Sequence, residues 1–427
     1  MKYKCTTAIV FAVLLICLAT YFFPALKMES SENRTMATFD MIFHPDEDSV
    51  VYHESIVERL DAALSDQFAF REAVVKRYLG LFNSLENRTY DFVRLFKKNP
   101  EGQYFLRAIG DYELIEDTGY ITAFPPIEPM KKENVEKRVD EIEHLHEMFP
   151  ELKIYAYYVT QAYDTDWFND YLGTPAADHY EEITEAAPEY VKTGHLTYTD
   201  LTDYMNVHYK TDHHWNHLGA DRGYEDVYAM MSDDFGLSPR LAPTEENHSS
   251  KTYDYSYLGS YGRALGELYK YGSDDFSFYE YPLPEREGAV IDPETREEIP
   301  VAEIGLYEEY RTGEVSKKVG ADHYIKMYGT ARDAAGTSYD DGDYPFIIRS
   351  DAGSGKNLLI CSDSYGRAIR DQLASHFDTT VYYDYRVLKK IPIDYMIEKY
   401  DIDALLICSN TSMWGSDGFR FIFEEER

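Results

Sequence analysis

Between Asn357 and Cys408 short apolar runs alternate with helical patterns, which restricts the fold more than any other feature of the chain. Leu358–Cys361, Thr380–Tyr383 and Ala404–Cys408 read as buried strands, and Arg367–Ser375 and Ile393–Lys399 read as the helices between them. Strand–helix–strand–helix–strand in so short a span is the signature of a doubly wound α/β fold. The same unit recurs upstream. Lys132–Met148 places Val135, Val139, Ile142 and Leu145 on one helical side, Pro150 ends it, and the strand Leu152–Val159 follows at once. A further helical pattern starts at Leu218-Gly-Ala220 and runs to about Met231. The expected fold class is therefore α/β, around a central, mostly parallel sheet.

The remaining segments are less regular. Residues 1–29 form a cytoplasmic tip and a membrane anchor, and 30–90 form a stalk with two helices, Ser55–Leu64 and Glu72–Leu85, joined by residues 65–71. Residues 91–427 are the main domain. Within it, 164–191 is acidic and loop-like, and about 235–345 reads as a weakly regular insertion, rich in Tyr and acids, with short strands. The anchor is the 22-residue apolar stretch Cys5–Leu26, long enough for one membrane span. Lys2 and Lys4 on its short side keep that end cytoplasmic, so the bulk of the chain is expected outside the cell membrane. Cleavage of this segment would instead release the chain as a secreted protein.

The formal charge of −35 argues against nucleic acid as a partner, because phosphates reward clustered Lys and Arg. Such acidity reads as solubility and self-repulsion at the surface, with a bias against anionic polymers or a role in cation binding as the functional alternative. Tyrosine is abundant, 40 residues against 3 Trp, and its flat face with a polar tip suits wet interfaces and sugar surfaces. Cys361 and Cys408 each end an apolar run and read as buried strand residues. No Cys-x-x-Cys metal spacing occurs.

Two blocks carry candidate chemistry. In Cys361-Ser-Asp-Ser364-Tyr-Gly366 a buried strand meets a helix, and ligands bind at the carboxyl ends of strands in open parallel sheets. The first free N–H groups of that helix are expected to hold an oxyanion beside the Ser364 hydroxyl. The plainer alternative is a serine N-cap. In Lys210-Thr-Asp-His-His-Trp-Asn-His217, an extended backbone would set Asp212 and His214 on one side, with His213 pointing away. Asp212 would then orient His214 as a base for a serine. A metal site using His213 and His217 at i, i+4, and a set of loop histidines without a role, stand beside this reading. Together the blocks supply nucleophile, base and orienter, which neither supplies alone.

The Asp212-His-His-Trp215 run, with Gly219-Ala220 after it, resembles the signature of the DHHW protein family. That family is similar to the SGNH-like alginate O-acetyltransferases of bacterial exopolysaccharide systems. Asp363-Ser364-Tyr365 resembles their Gly-Asp-Ser block, and Glu32-Asn-Arg34 and Asp66–Arg71 match the family's N-terminal pattern. The resemblance implies an SGNH-hydrolase-like, three-layer α/β/α fold in which the nucleophile block follows the Asp-x-His block, the reverse of ordinary SGNH hydrolases. It implies a triad of Ser364, His214 and Asp212, no cofactor, and acetyl transfer to or from a cell-surface polysaccharide. A membrane-bound O-acyltransferase is the implied acetyl supplier. The sequence departs from the pattern at Ser362, which replaces the usual Gly. Asn410, after the last strand, is a positional candidate for an oxyanion contact. Tyr365 and Trp215 are the neighbouring candidates for substrate contact, with Trp215 expected to pack beneath the motif. Two rival functions follow from the same residues: a non-catalytic glycan-binding or scaffold component of an exopolysaccharide-modifying complex, and a metal-dependent hydrolase using the His208–His217 cluster.

Overall fold

The computed structural model describes residues 104–424, except 111, 124–128, 173–177, 244–250, 306–307, 312–322, 327–329, 385–390, 411 and 416–419, together with a few positions between 43 and 89. The expected membrane span Cys5–Leu26 lies outside the described residues, as do most of Ser55–Leu64 and Glu72–Leu85. Among the described residues no helix is long and apolar enough to cross a membrane.

Eight strands form the central sheet. In chain order they are β1 (Lys153–Tyr158), β2 (Val191–His195), β3 (Arg286–Ile291), β4 (Glu298–Val301), β5 (Phe346–Ser350), β6 (Asn357–Ser362), β7 (Thr379–Asp384) and β8 (Ala404–Ser409). Their spatial order is β2-β1-β8-β6-β7-β5-β3-β4. The first five are parallel to one another, and β5, β3 and β4 extend the sheet antiparallel. The sheet is thus mixed, parallel through five of its eight strands. The segment read as an insertion at 235–345 supplies two of its strands. Their sequences, Arg-Glu-Gly-Ala-Val-Ile and Glu-Ile-Pro-Val, are half polar because they lie toward an edge, and they gave no long apolar run.

The parallel strands are apolar at nearly every position because both sheet faces are covered. Side-chain alternation sorts each strand into two cores. Ile154, Leu359, Cys361, Leu405 and Ile407 face helices α1 (Lys132–Met148) and α7 (Ile393–Lys399). Tyr155, Tyr157, Ile360, Leu406 and Cys408 face α5 (His217–Phe235) and α6 (Arg367–Ala374). Cys361 and Cys408 are free, buried and on opposite faces, so no disulfide can join them. Truncating a fully buried residue such as Ile407 to Ala would cost about 2–5 kcal/mol.

The stretch 164–191, expected as loop, contains α2 (Asp166–Leu172) and α3 (His179–Ala186). Trp167, Phe168 and Tyr171 bury one side of α2 against Leu106 and Ile115, and Asp178 caps α3 by accepting from the Glu181 amide at 2.8 Å. The density of acids there hid an aromatic stripe, which is what makes the segment helical. Before α5, the helix α4 (Leu201–Val207) leads directly into the Asp-His-His segment.

Candidate active site

The chain between α4 and α5 is a tight excursion that presents three residues at its tip. Its base is closed by the Tyr209 amide donating to the His214 carbonyl (3.2 Å) and the Asn216 amide donating to the Val207 carbonyl (2.9 Å). Asn216 also caps α5, its side-chain oxygen accepting from Leu218 and Gly219, which fixes the helix start at His217. Residues 211–214 bend rather than extend. The Asp212 carboxylate reaches its target by curling back, accepting the His214 amide at 3.0 Å and His214 Nδ1 at 2.5 Å. His213 therefore does not point away: its ring lies 4.0 Å from that of His214, with Nδ1 3.0 Å from the Ser260 hydroxyl.

Asp212 is almost fully buried and is held from a further side. The Ser260 amide donates to Oδ2 at 2.5 Å, and the buried Tyr257 phenol lies close enough to feel the same carboxylate's charge. Burial alone would raise its carboxyl pKa. The charges of His213 and His214, the His214 hydrogen bond and the Ser260 amide overcome this and hold it well below the usual carboxylate range. Asp212 is thus a permanent anion. Gly259 permits the approach: a Cβ there would stand 2.2 Å from Asp212 Cβ and 2.5 Å from the Thr211 carbonyl. Asp274 clamps the entry to the tip, accepting the Lys210 amide (2.9 Å), the Thr211 amide (3.0 Å) and the Thr211 hydroxyl (2.5 Å). None of Tyr257, Gly259, Ser260 and Asp274 carried a signal in the sequence, because nothing in their own neighbourhoods marks them as partners of residue 212.

The second component is the turn from β6 into α6. Ser362, standing where the resemblance placed a Gly, accepts the Gly366 amide at 2.9 Å and donates to the Cys408 carbonyl at 2.6 Å. A Cβ on Gly366 would lie 2.2 Å from that hydroxyl oxygen. Asp363 accepts the Tyr365 amide (3.0 Å) and the Asn410 amide (3.4 Å), and the Tyr382 hydroxyl donates to the Asp363 carbonyl at 2.9 Å. This frame projects Ser364 Oγ to 2.5 Å from His214 Nε2. Asp212, His214 and Ser364 thus form a continuous Asp–His–Ser chain, and Ser364 is not an N-cap, since α6 begins after Gly366 without a side-chain cap.

The expectation about oxyanion donors needs correction. The Tyr365 and Gly366 amides are already taken by Asp363 and Ser362, whereas the Ser364 amide has no acceptor among the described residues. Tyr365 and Trp215, named as candidates for substrate contact, are both 1% exposed. The Tyr365 hydroxyl accepts from Gln161 Nε2 (3.0 Å) and donates to the His213 carbonyl (2.9 Å), while its ring packs on His214. It positions the base. Trp215 lies against α5, where a Cβ on Gly223 would come within 2.3 Å of the indole. Asn410 reaches the site by its backbone, at the end of the strand next to β6.

The histidines of the 208–217 cluster disperse. His208 is buried and stacked on Tyr204, and burial depresses it to about 3, so it stays neutral. His217 lies on α5 edge-on to Tyr279, so the i, i+4 pair with His213 does not form. Among the described residues only Asp212, His213 and His214 converge with metal-ligating atoms. A metal there would have to displace the His214–Asp212 hydrogen bond.

Neither family models nor curated proteins give a match to this chain. Among solved structures it is similar to a DHHW family protein from Eubacterium siraeum DSM 15702, at 14% identity and a TM-score of 0.50 over 73% of this chain and 94% of that one. It is also similar to Bacillus cereus PatB1 bearing a sulfonyl adduct (16% identity, TM-score 0.49, 74% of this chain and 98% of that one). A third is the O-acetyltransferase domain of Pseudomonas putida AlgJ (12% identity, TM-score 0.38, 70% and 91%). The likeness to the DHHW protein establishes a shared α/β fold.

Proposed function

We propose that the chain is an extracytoplasmic serine O-acetyltransferase, or acetylesterase, that acts on a cell-surface polysaccharide through an acetyl-serine intermediate. The observation that carries this reading is the 2.5 Å contact of Ser364 Oγ with His214 Nε2, with Asp212 on the other ring nitrogen. Ser is too weak a nucleophile without such a base. Helices on both sheet faces, and a nucleophile block that follows the Asp-x-His block, support an SGNH-like three-layer scaffold.

Ser364 Oγ attacks the carbonyl carbon of an acetyl ester while its proton passes to His214 Nε2. Asp212 stabilises the imidazolium through Nδ1–H and fixes the tautomer. The carbonyl oxygen becomes an oxyanion within reach of the Ser364 amide. Collapse expels the donor alkoxide, which takes the proton from His214, and leaves acetyl-Ser364. A sugar hydroxyl then loses its proton to His214 and takes the acetyl group, or water does so, regenerating Ser364. Transfer and hydrolysis differ only in the acceptor admitted. In this reading the apolar segment Cys5–Leu26 anchors the chain with its bulk outside, and a membrane-bound O-acyltransferase supplies acetyl groups.

Turnover of p-nitrophenyl acetate by Ser364→Ala should fall roughly 10⁴-fold or more with folding intact, and mass spectrometry should find acetyl on Ser364 in the native protein. Undiminished turnover in Ser364→Ala overturns the mechanism.

A further inference from the structure

A cleft opens between the start of α5, the side of α6 and residues 277–281, with Trp215, the residue after His214, in its lining. Its walls are aromatic: Tyr209, Trp215, Phe278, Tyr279 and Tyr281 all line it. No Lys, Arg, Asp or Glu contributes, and burial lowers the pKa of His217, the one titratable imidazole in the wall. Such a surface offers nothing to pair with a charged ligand. The formal charge of −35 opposes an anionic one in addition.

Two polar atoms in this lining lack partners among the described residues. Trp215 Nε1 is a buried donor without an acceptor, and Gln372 Oε1 a buried acceptor without a donor. The two residues are 1% and 8% exposed. The neighbouring Tyr281 hydroxyl does not satisfy the Gln372 acceptor, since it donates to Asp221 at 2.6 Å. Buried polar groups are nearly always satisfied, and leaving one unpaired costs about 1–3 kcal/mol. A donor and an acceptor unpaired in one aromatic cleft match a ligand whose groups both accept and donate, which hydroxyls do. The cleft is also tied to the chemistry. Trp215 follows His214 in the chain, the Tyr365 ring touches both, and Gln372 lies on the helix that starts three residues after Ser364.

We propose that this cleft is a saccharide subsite, in which a neutral, hydroxyl-bearing sugar ring packs on the tyrosine wall and, as the wall side chains shift to uncover them, accepts a hydrogen bond from Trp215 Nε1 and donates one to Gln372 Oε1. As the acceptor subsite of the serine enzyme it rests on the function proposed above; as a binding site it does not.

The test is direct binding to the full-length Ser364→Ala protein, titrated with chitotetraose and cellotetraose and followed by calorimetry and tryptophan fluorescence. Saturable binding of at least one of the two is expected, weakened roughly tenfold by Gln372→Leu and by Tyr279→Ala, with no binding of oligogalacturonate. Where Gln372→Leu loses its folded circular dichroism spectrum, Tyr279→Ala carries the result. Absence of saturable binding to both neutral sugars, binding untouched by either substitution, or tighter binding of oligogalacturonate overturns the proposal. Loss of the serine mechanism is read separately, from acetyl-ester turnover by the native protein and its Ser364→Ala variant, so either conclusion can fall alone.

Discussion

Asp212→Asn is the substitution whose effect the structure specifies most fully. The carboxylate accepts from His214 Nδ1, the His214 amide and the Ser260 amide, so it is used entirely as an acceptor. An amide of the same shape has one oxygen. With that oxygen toward Ser260, its NH₂ faces His214 Nδ1, which must then accept, forcing the proton onto Nε2 and abolishing the base toward Ser364. With the amide flipped, NH₂ meets the Ser260 N–H, donor against donor. In either orientation the charge opposite the imidazolium is lost. For a pair roughly 4 Å apart at an effective dielectric of about 20, that interaction is worth about 4 kcal/mol, or about three decades of rate. The tautomer effect adds to it, and a drop of about 10³–10⁴ in kcat/KM is expected. The assay is p-nitrophenyl acetate hydrolysis with circular dichroism as the folding control. A folded Asp212→Asn variant within tenfold of the native rate would refute the assignment of Asp212.

Three further outcomes follow from the packing around the triad. In His208→Phe the ring keeps its stack on Tyr204, but the buried imidazole is gone. Because burial lowers His208 from 6.5 to about 3, the native fold binds fewer protons than the unfolded chain in that window and loses stability as pH falls through it. The melting-temperature difference between His208→Phe and the native chain should therefore grow in favour of the variant below pH 6.5, and a pH-independent difference would contradict this. Gly223→Ala drives a Cβ to 2.3 Å from the Trp215 ring. Overpacking of about 1–3 kcal/mol should outweigh the ~1 kcal/mol gain in helix propensity, giving a lower melting temperature. Gly259→Ala pushes on Asp212 Cβ and the Thr211 carbonyl, and should lower acetyl-ester turnover by roughly 10²-fold; unchanged turnover would show that the tip relaxes freely.

Two kinds of information were legible in the residues alone. Periodicity gave the β6–α6–β7–α7–β8 run almost to the residue, because strands covered on both faces and a two-sided core write their pattern locally. Asp212, His214 and Ser364 could be singled out as candidates because each sits in a short block of polar residues between elements. The edge strand β4 and its neighbour β3 were not legible, since partly exposed strands carry mixed residues. Nor were α2 and α3, since acids masked the aromatic stripe of α2, Trp167, Phe168 and Tyr171, and fill much of α3.

By itself the sequence determined the α/β class, the two motif blocks and which residue types could act as nucleophile, base and orienter. Only the tertiary structure decided that Ser364 meets His214 and that Asp212 is reached through a bend. Only it decided that the Ser260 amide donates to the Asp212 carboxylate, and that Trp215 and Gln372 line the same cleft. Local pattern reports what one segment must bury. A hydrogen bond between residues 150 positions apart depends on where the sheet carries each segment's end, and no neighbour in the chain encodes it.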